Sequence, residues 1–275
     1  MKKRKFIRNL ALILGICLCA YPLAASLMEQ QNQSRAVSTY KNEVEECDDE
    51  TLEQMIKDAE AYNDKLYQSK SSIVSSLREG ILSSENYNKL LNISGSGIMG
   101  TIEIPKINVN LPIYHGTGED VLSVGVGHLE GSSLPVGGAN THCVLTGHRG
   151  LPNSKLFTRL DELEKGDLFY IRTGERIAAY LVSEIWVIRP EDVESLSVQA
   201  EKDLVSLITC TPYGVNSHRL VVTGERTEYE KMEHLKIEPQ MASMREILFA
   251  VLPFAMIGVV AIKLIKERRE RNRAK

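Results

Sequence analysis

Apolar positions along the 275-residue chain fall into three textures. The first is unbroken. Leu10 to Leu27 is nearly all apolar and follows a basic start, Met1-Lys-Lys-Arg-Lys-Phe-Ile-Arg8; a second run, Ile247 to Ile262, extends through Leu264 and Ile265. Both approach the length of a bilayer-spanning helix, with Lys263 able to snorkel and Pro253 tolerable inside such a helix. The small residues between Ala20 and Ser26 also fit a cleaved signal peptide, but the apolar length favours an uncleaved anchor within residues 1–30. The second texture is helical. Between Tyr40 and Ser69, Leu52, Met55, Ile56, Ala59, Tyr62 and Leu66 recur at three- and four-residue steps behind a capping pair, Asp48-Asp49. A weaker helical fragment covers Ile73 to Leu82, and Ser94-Gly-Ser-Gly97 reads as a linker or tight turn.

From Met99 the texture alternates. Thr101 to Pro105 and Ile107 to Ile113 have a period of two, followed by strand-like runs at 143–146, 168–171, 177–188, 204–208 and 220–223. Many short strands with few helices predict an all-β-dominated barrel or sandwich over 98–230, preceded by a helical region at 40–97. Leu156 to Leu163 reads as a short helix, and the Gly-rich stretch Gly125 to Gly138 as an irregular connection.

Charge divides the chain in the same places. Residues 2–8 hold five Lys/Arg, and 263–275 hold seven with two Glu; removing these from the totals of 33 basic and 36 acidic residues leaves a centre of net charge −13. Basic ends beside apolar runs and an acidic centre fit a membrane protein obeying the positive-inside rule. Both termini, including the tail at 266–275, would be cytoplasmic and the domain extracellular; nucleic-acid binding is disfavoured.

Candidate chemistry gathers at strand ends. The run Leu204 to Ile208 leads to Thr209-Cys210-Thr211-Pro212, where Pro212 lacks the amide hydrogen a ladder needs. After a Tyr-Gly-Val-Asn-Ser turn, His218-Arg219 opens the next strand, so a hairpin brings Cys210 near Arg219. A thiol acts as nucleophile through its thiolate and needs a base or cation nearby. Arginine stays protonated and is suited to an oxyanion. The base falls to His148, where a strand opens into Gly150; His218 is its rival, but pleating turns it away from Arg219's face. Pattern alone leaves open a blander state in which Cys210 is a buried inert thiol, Arg219 a surface charge and His148 a turn residue. Cys17 and Cys19 lie in the apolar run, leaving Cys47, Cys143 and Cys210 outside it, an odd number. Cys143 reads as a packing residue, although a Cys143–Cys210 bridge would abolish the chemistry. No spaced His or Cys set predicts a metal and no phosphate loop predicts a cofactor.

The residues Ser206-Leu-Ile-Thr-Cys210 with Arg219 on the following strand resemble the sortase signature, which usually has Thr where Ser206 stands. Leu145-Thr-Gly-His-Arg-Gly-Leu-Pro152 resembles the histidine segment of class C sortases, and the likeness runs from Ile102 to Arg226, through Gly127 to Pro135. The resemblance implies an eight-stranded β-barrel with N-terminal helices and two flanking transmembrane helices. It implies a cysteine transpeptidase with catalytic His148, Cys210 and Arg219, and with Ser206 and Thr209 against the substrate. The expected substrates are pilin or surface proteins bearing a Leu-Pro-x-Thr-Gly-like C-terminal signal, joined to a pilin lysine or to a cell-wall cross-bridge amine. A non-catalytic peptide-binding barrel and a hydrolytic cysteine protease remain open alternatives. Class C sortases carry a lid with an Asp-Pro-aromatic motif. Lys70 to Asn92 contains none, Leu77-Arg-Glu-Gly-Ile-Leu82 occupying that space, which predicts constitutive activity.

Overall fold

The computed structural model describes residues 2–69, 84–93, 95–151, 154–234, 251–252, 254–262, 265–266 and 269. Two units are present, one of residues 29–240 and one of residues 1–28 with 241–275. Helix α1 (Lys2–Glu46) begins in the basic start. In the second unit, apolar side chains such as Leu10, Leu14, Leu18, Leu27, Phe254, Val259 and Ile262 are exposed. Among the described residues no helix is long and apolar enough to cross a membrane. Both apolar runs are described in part: residues 247–250, 253 and 263–264, and the side chains of 11–13, 16, 19 and 23, lie outside. So do residues 70–83, which hold most of the expected lid and the helical fragment after Ile73.

In the larger unit, the helical pattern is split in two. The break falls at Cys47-Asp48, where Asp48 Oδ1 accepts from Thr51 N at 2.9 Å and caps α2 (Asp49–Gln68). Such a cap is worth about 1 kcal/mol. The apolar face read from the spacing is the buried one: Leu52, Ile56, Ala59 and Leu66 are covered, with Asn63 among them. Asn63 is buried because its amide is satisfied, Oδ1 accepting from Leu134 N at 2.7 Å and Nδ2 donating to Leu134 O at 3.2 Å.

Eight strands close a barrel in the order β1-β2-β3-β4-β7-β8-β6-β5. They are β1 (Ile98–Ile104), β2 (Val109–His115), β3 (Val126–His128), β4 (Thr141–Thr146), β5 (Leu168–Thr173), β6 (Arg176–Ile188), β7 (Asp203–Thr211) and β8 (His218–Thr227). The Gly-rich stretch expected as irregular contains β3, a strand of three residues and too short to announce itself by period. The helix expected at Leu156 to Leu163 is a run of turns ending in one 3-10 turn at Leu160–Glu162. Inside the barrel, Ile102, Ile104, Ile113, Leu145, Phe157, Phe169, Val205, Leu207 and Val222 form one core, which α2 joins through Ile56 and Ala59.

β4 and β7 run parallel at the centre of the sheet, Cys143 facing Val205 and Thr146 facing Ile208. Parallel strands are covered on both faces. Outside the barrel, Val144, Ile208 and Val221 pack under Leu196 and Ile188 as a second cluster. A polar seam lies on this outer face. His142 Nδ1 donates to Ser197 O at 3.0 Å, so its Nε2 accepts the Ser206 hydroxyl at 2.7 Å, and Ser206 in turn meets Thr223 Oγ1 at 2.5 Å. The expectation that Ser206 and Thr209 line a substrate is corrected here. Ser206 is 0% exposed within the seam, and Thr209 is 1% exposed with its hydroxyl donated to Gly147 O at 2.7 Å. Both hold strands together.

Another buried histidine fastens the segment after the undescribed 70–83. Tyr87, closing helix α3 (Ser84–Tyr87), donates to His128 Nδ1 at 2.8 Å and accepts from Gly116 N at 3.0 Å. His128 Nε2 faces Ser133 O at 2.9 Å, so the neutral ring satisfies both partners. Burial pushes His128 down from 6.5 to about 4.

Two predictions follow from these buried polar groups. Below pH 6.5 an unfolded His128 takes a proton that the folded ring refuses until about pH 4. Its contribution is therefore intact above pH 6.5 and lost as pH falls, by about 2–3 kcal/mol between pH 7 and 4.5. Urea unfolding at both pH values should show this slope reduced in His128→Gln. Ser206→Ala orphans His142 Nε2 and Thr223 Oγ1 and should cost about 1–3 kcal/mol by the same measurement. The alkylation rate of Cys210 should not change.

Candidate active site

Three residue types that can act together on a carbonyl meet at one end of the β4-β7-β8 strip. In the antiparallel β7–β8 pair Cys210 lies directly opposite Arg219. Residues opposed in this way project to the same side of a sheet. The parallel pairing of β4 with β7 ends formally at Thr146 and Ile208, but its bonding continues. Gly147 N donates to Ile208 O at 3.0 Å and Thr209 Oγ1 to Gly147 O. His148 follows two residues beyond the last pair on β4, as Cys210 does on β7.

Parity then fixes the face. Cys143, Leu145, Val205, Leu207, Leu220 and Val222 point into the barrel core, whereas Val144, Ile208 and Val221 belong to the outer cluster. Counting in twos, Cys210 and Arg219 share the outer face, and the same count carried past the end of β4 assigns His148 to it. All three are part-buried. Their row sits where the outer cluster ends, with apolar packing on one side and open loop on the other. Cys143 and Cys210 are both free thiols on opposite faces of the sheet, so no bridge joins them. Burial raises the Cys143 thiol well above its ordinary range, which keeps it a packing group. His218, paired with Thr211, is exposed and turned to the face opposite Arg219.

Each loop that carries a member of the row is tied down. Arg219 Nη1 donates to Asn216 O at 3.2 Å and His218 O at 3.0 Å, closing its own turn. His148 O accepts from Phe157 N at 3.1 Å, and a Cβ on Gly147 would stand 2.7 Å from the Phe157 ring, so that ring packs where a side chain would be. Next along, the buried Arg149 guanidinium pairs with Asp161 Oδ2 and lies 5.6 Å over the Tyr213 ring. Tyr213 also covers Gly150, whose φ of +79° suits glycine and whose missing side chain leaves room for the ring. The loop after β4 and the loop after β7 are thereby clasped across the row.

The sequence reading selected Cys210 and Arg219, which the strand register pairs, and His148, which follows the end of β4. It did not find Glu119, on helix α4 (Glu119–Leu122), whose Oε2 approaches His148 Nε2 to 3.4 Å. No local pattern links positions 119 and 148. Nor did it find the Arg149–Asp161–Tyr213 clasp, although Arg149 stands beside His148.

Known proteins resemble this chain over the barrel. A family model described as a sortase domain matches residues 102–227. Sortase D of Bacillus subtilis is 36% identical over 130 residues, which are 46% of this chain and 63% of that protein. Sortase A of Streptococcus agalactiae is 32% identical over 158 residues, 56% of this chain and 61% of that one. The chain thus spans a little under two thirds of the length of these curated relatives. Among solved structures, sortase C1 from Streptococcus agalactiae is 43% identical with a TM-score of 0.66, over 71% of this chain and 100% of that chain. A Clostridium perfringens sortase C solved with the C-terminal cell wall sorting motif is 40% identical, TM-score 0.61, again over 71% and 100%. With the closed barrel, the matched domain and these likenesses over entire solved chains, the protein belongs to the sortase family of cysteine transpeptidases, on its class C side.

Proposed function

We propose that this protein cuts a Leu-Pro-x-Thr-Gly-like sorting signal between Thr and Gly and joins the Thr to an amine, in the pilin-polymerising manner of class C. The observation that carries the reading is the row itself, with Cys210 opposed to Arg219 and His148 just past the end of the adjoining strand β4. Cys210 Sγ, as thiolate, attacks the Thr carbonyl carbon. The oxygen gains charge, which Arg219 meets as donor. As the C–N bond breaks, His148 gives its proton to the departing Gly amine, leaving a thioacyl bond to Cys210. An incoming amine, in this reading a pilin lysine, attacks the same carbon. His148 takes its proton, and Cys210 leaves as thiolate.

The barrel lies outside the cell in this reading, held by membrane helices in residues 1–30 and 245–265 with both basic ends in the cytoplasm. Support comes from the charge asymmetry and from the exposed apolar side chains of both runs. A cell-wall cross-bridge amine as acceptor needs the same site and differs only in the second substrate.

The test uses the full chain in detergent with a Leu-Pro-x-Thr-Gly peptide and a lysine-bearing acceptor, read by intact-protein and product mass spectrometry. Wild type should show a thioacyl adduct and an amide-linked product. Cys210→Ala should show neither, with turnover down on the order of 10³-fold or more. Arg219→Lys should lose about 10²-fold, since an ammonium does not reproduce the guanidinium fork. A free carboxylate as the sole product would replace transfer by hydrolysis. No adduct from a freely alkylated Cys210 would leave a binding module.

For the topology, a membrane-impermeant maleimide should label Cys210 in intact cells. Labelling only after lysis would overturn the orientation.

A further inference from the structure

His148 has a carboxylate neighbour that the transfer scheme does not use. Glu119 opens α4, a single turn between β2 and β3, and its Oε2 stands 3.4 Å from His148 Nε2. That nitrogen is enclosed and makes no hydrogen bond among the described residues. The contact is therefore close without being a formed hydrogen bond, and it is an ion pair only while the ring carries a proton. Charged residues adjacent in the chain or in the row turn to other partners or away. Arg149 pairs with Asp161, Arg219 bonds its own turn, and the Asp120 carboxylate lies back against Gly118. The α4 turn is held by Val121 N and Leu122 N donating to Gly118 O at 3.1 and 2.9 Å, so Glu119 is presented from a formed turn.

Which nitrogen of a histidine does chemistry is set by what the other one meets. We propose that Glu119 is a positioning residue, holding His148 by Nε2 as the imidazolium so that Nδ1 exchanges the proton with the leaving and incoming amines. This rests on the reading in which His148 is the acid and base. When Nδ1 gives its proton to the departing Gly amine, the ring becomes neutral and the attraction to Glu119 lapses. When Nδ1 takes the proton of the incoming amine, the pair is restored. Protons balance over the cycle, and Glu119 takes no part in the transfer. Its side chain is 83% exposed, so the pairing is open to screening by salt.

The test compares the full chain with Glu119→Gln and Glu119→Asp, using the same peptide and acceptor. Gln keeps the shape and removes the charge. Its kcat should fall about threefold to tenfold with KM for the peptide within about twofold, and Asp should recover part of the loss. Raising NaCl from about 0.05 M to about 0.5 M should bring the wild-type rate toward that of Gln, which should itself respond little. In chain labelled with 15N at histidine, with His148 assigned through His148→Gln, the ring signals should move in Glu119→Gln. An unchanged kcat in an active enzyme, a loss confined to KM, or unmoved ring signals would overturn the assignment. If wild type makes no transfer product, the transpeptidase reading fails by itself and the ring signals alone decide whether Glu119 holds His148.

Discussion

The site depends on strand register, above all on the parallel contact between β4 and β7. A β-strand repeats its facing every two residues, so a slip of one residue exchanges its inner and outer sets. Such a slip in β7 would turn Cys210 toward the apolar interior that Cys143 shares, where burial holds a thiol protonated. Two devices oppose it. On the inner face, Val205 and Leu207 are fully committed to the barrel core. On the outer face, Ser206 must meet His142 and Thr223 at once, which no other register allows.

Those devices require a covered outer face, and the segment after β6 provides it. Leu196 closes the apolar cluster, and Ser197 O accepts from His142. A buried polar seam is costly where any member lacks a partner and specific where every member has one. Here each hydroxyl and ring nitrogen of the seam is assigned, so the cost becomes alignment. The cover ends near the last turn of β7, and the row of His148, Cys210 and Arg219 begins where it ends. In the proposed mechanism that boundary suits the nucleophile, which needs both a rigid backbone and access for its substrate.

Much of this was legible in the sequence, because the relevant signals are local. The period-two runs gave most of the strands, Asp48 the cap of α2, and Pro212 the end of β7 at Thr211. Cys210 and Arg219 could be paired because one hairpin joins them. His148 was harder, since β4 and β7 lie far apart in the chain, and the family likeness of its segment supplied what periodicity did not. The strand β3 was missed because three residues hold barely one period, and its pairing partners β2 and β4 define it instead. Ser206 and Thr209 were placed against substrate because a hydroxyl near a nucleophile looks the same in sequence whether it faces outward or into a seam. Burial separates the two, and burial is a tertiary property.

The two thiols of the barrel differ in setting by very little. Cys143 and Cys210 lie on adjacent parallel strands, and both are free. Cys143 is in mid-strand on the inner face, where neither a cation nor a base can reach it without breaking the core. Cys210 is five positions further along β7 than Val205, the residue opposite Cys143, and an odd offset moves it to the outer face and to the strand's end. That single change of parity and depth puts a guanidinium across from it. The clasp of Arg149, Asp161 and Tyr213 then matters because strand ends fray. By joining the loop after β4 to the loop after β7, it lets the row keep the alignment of the sheet beyond the last ladder bonds.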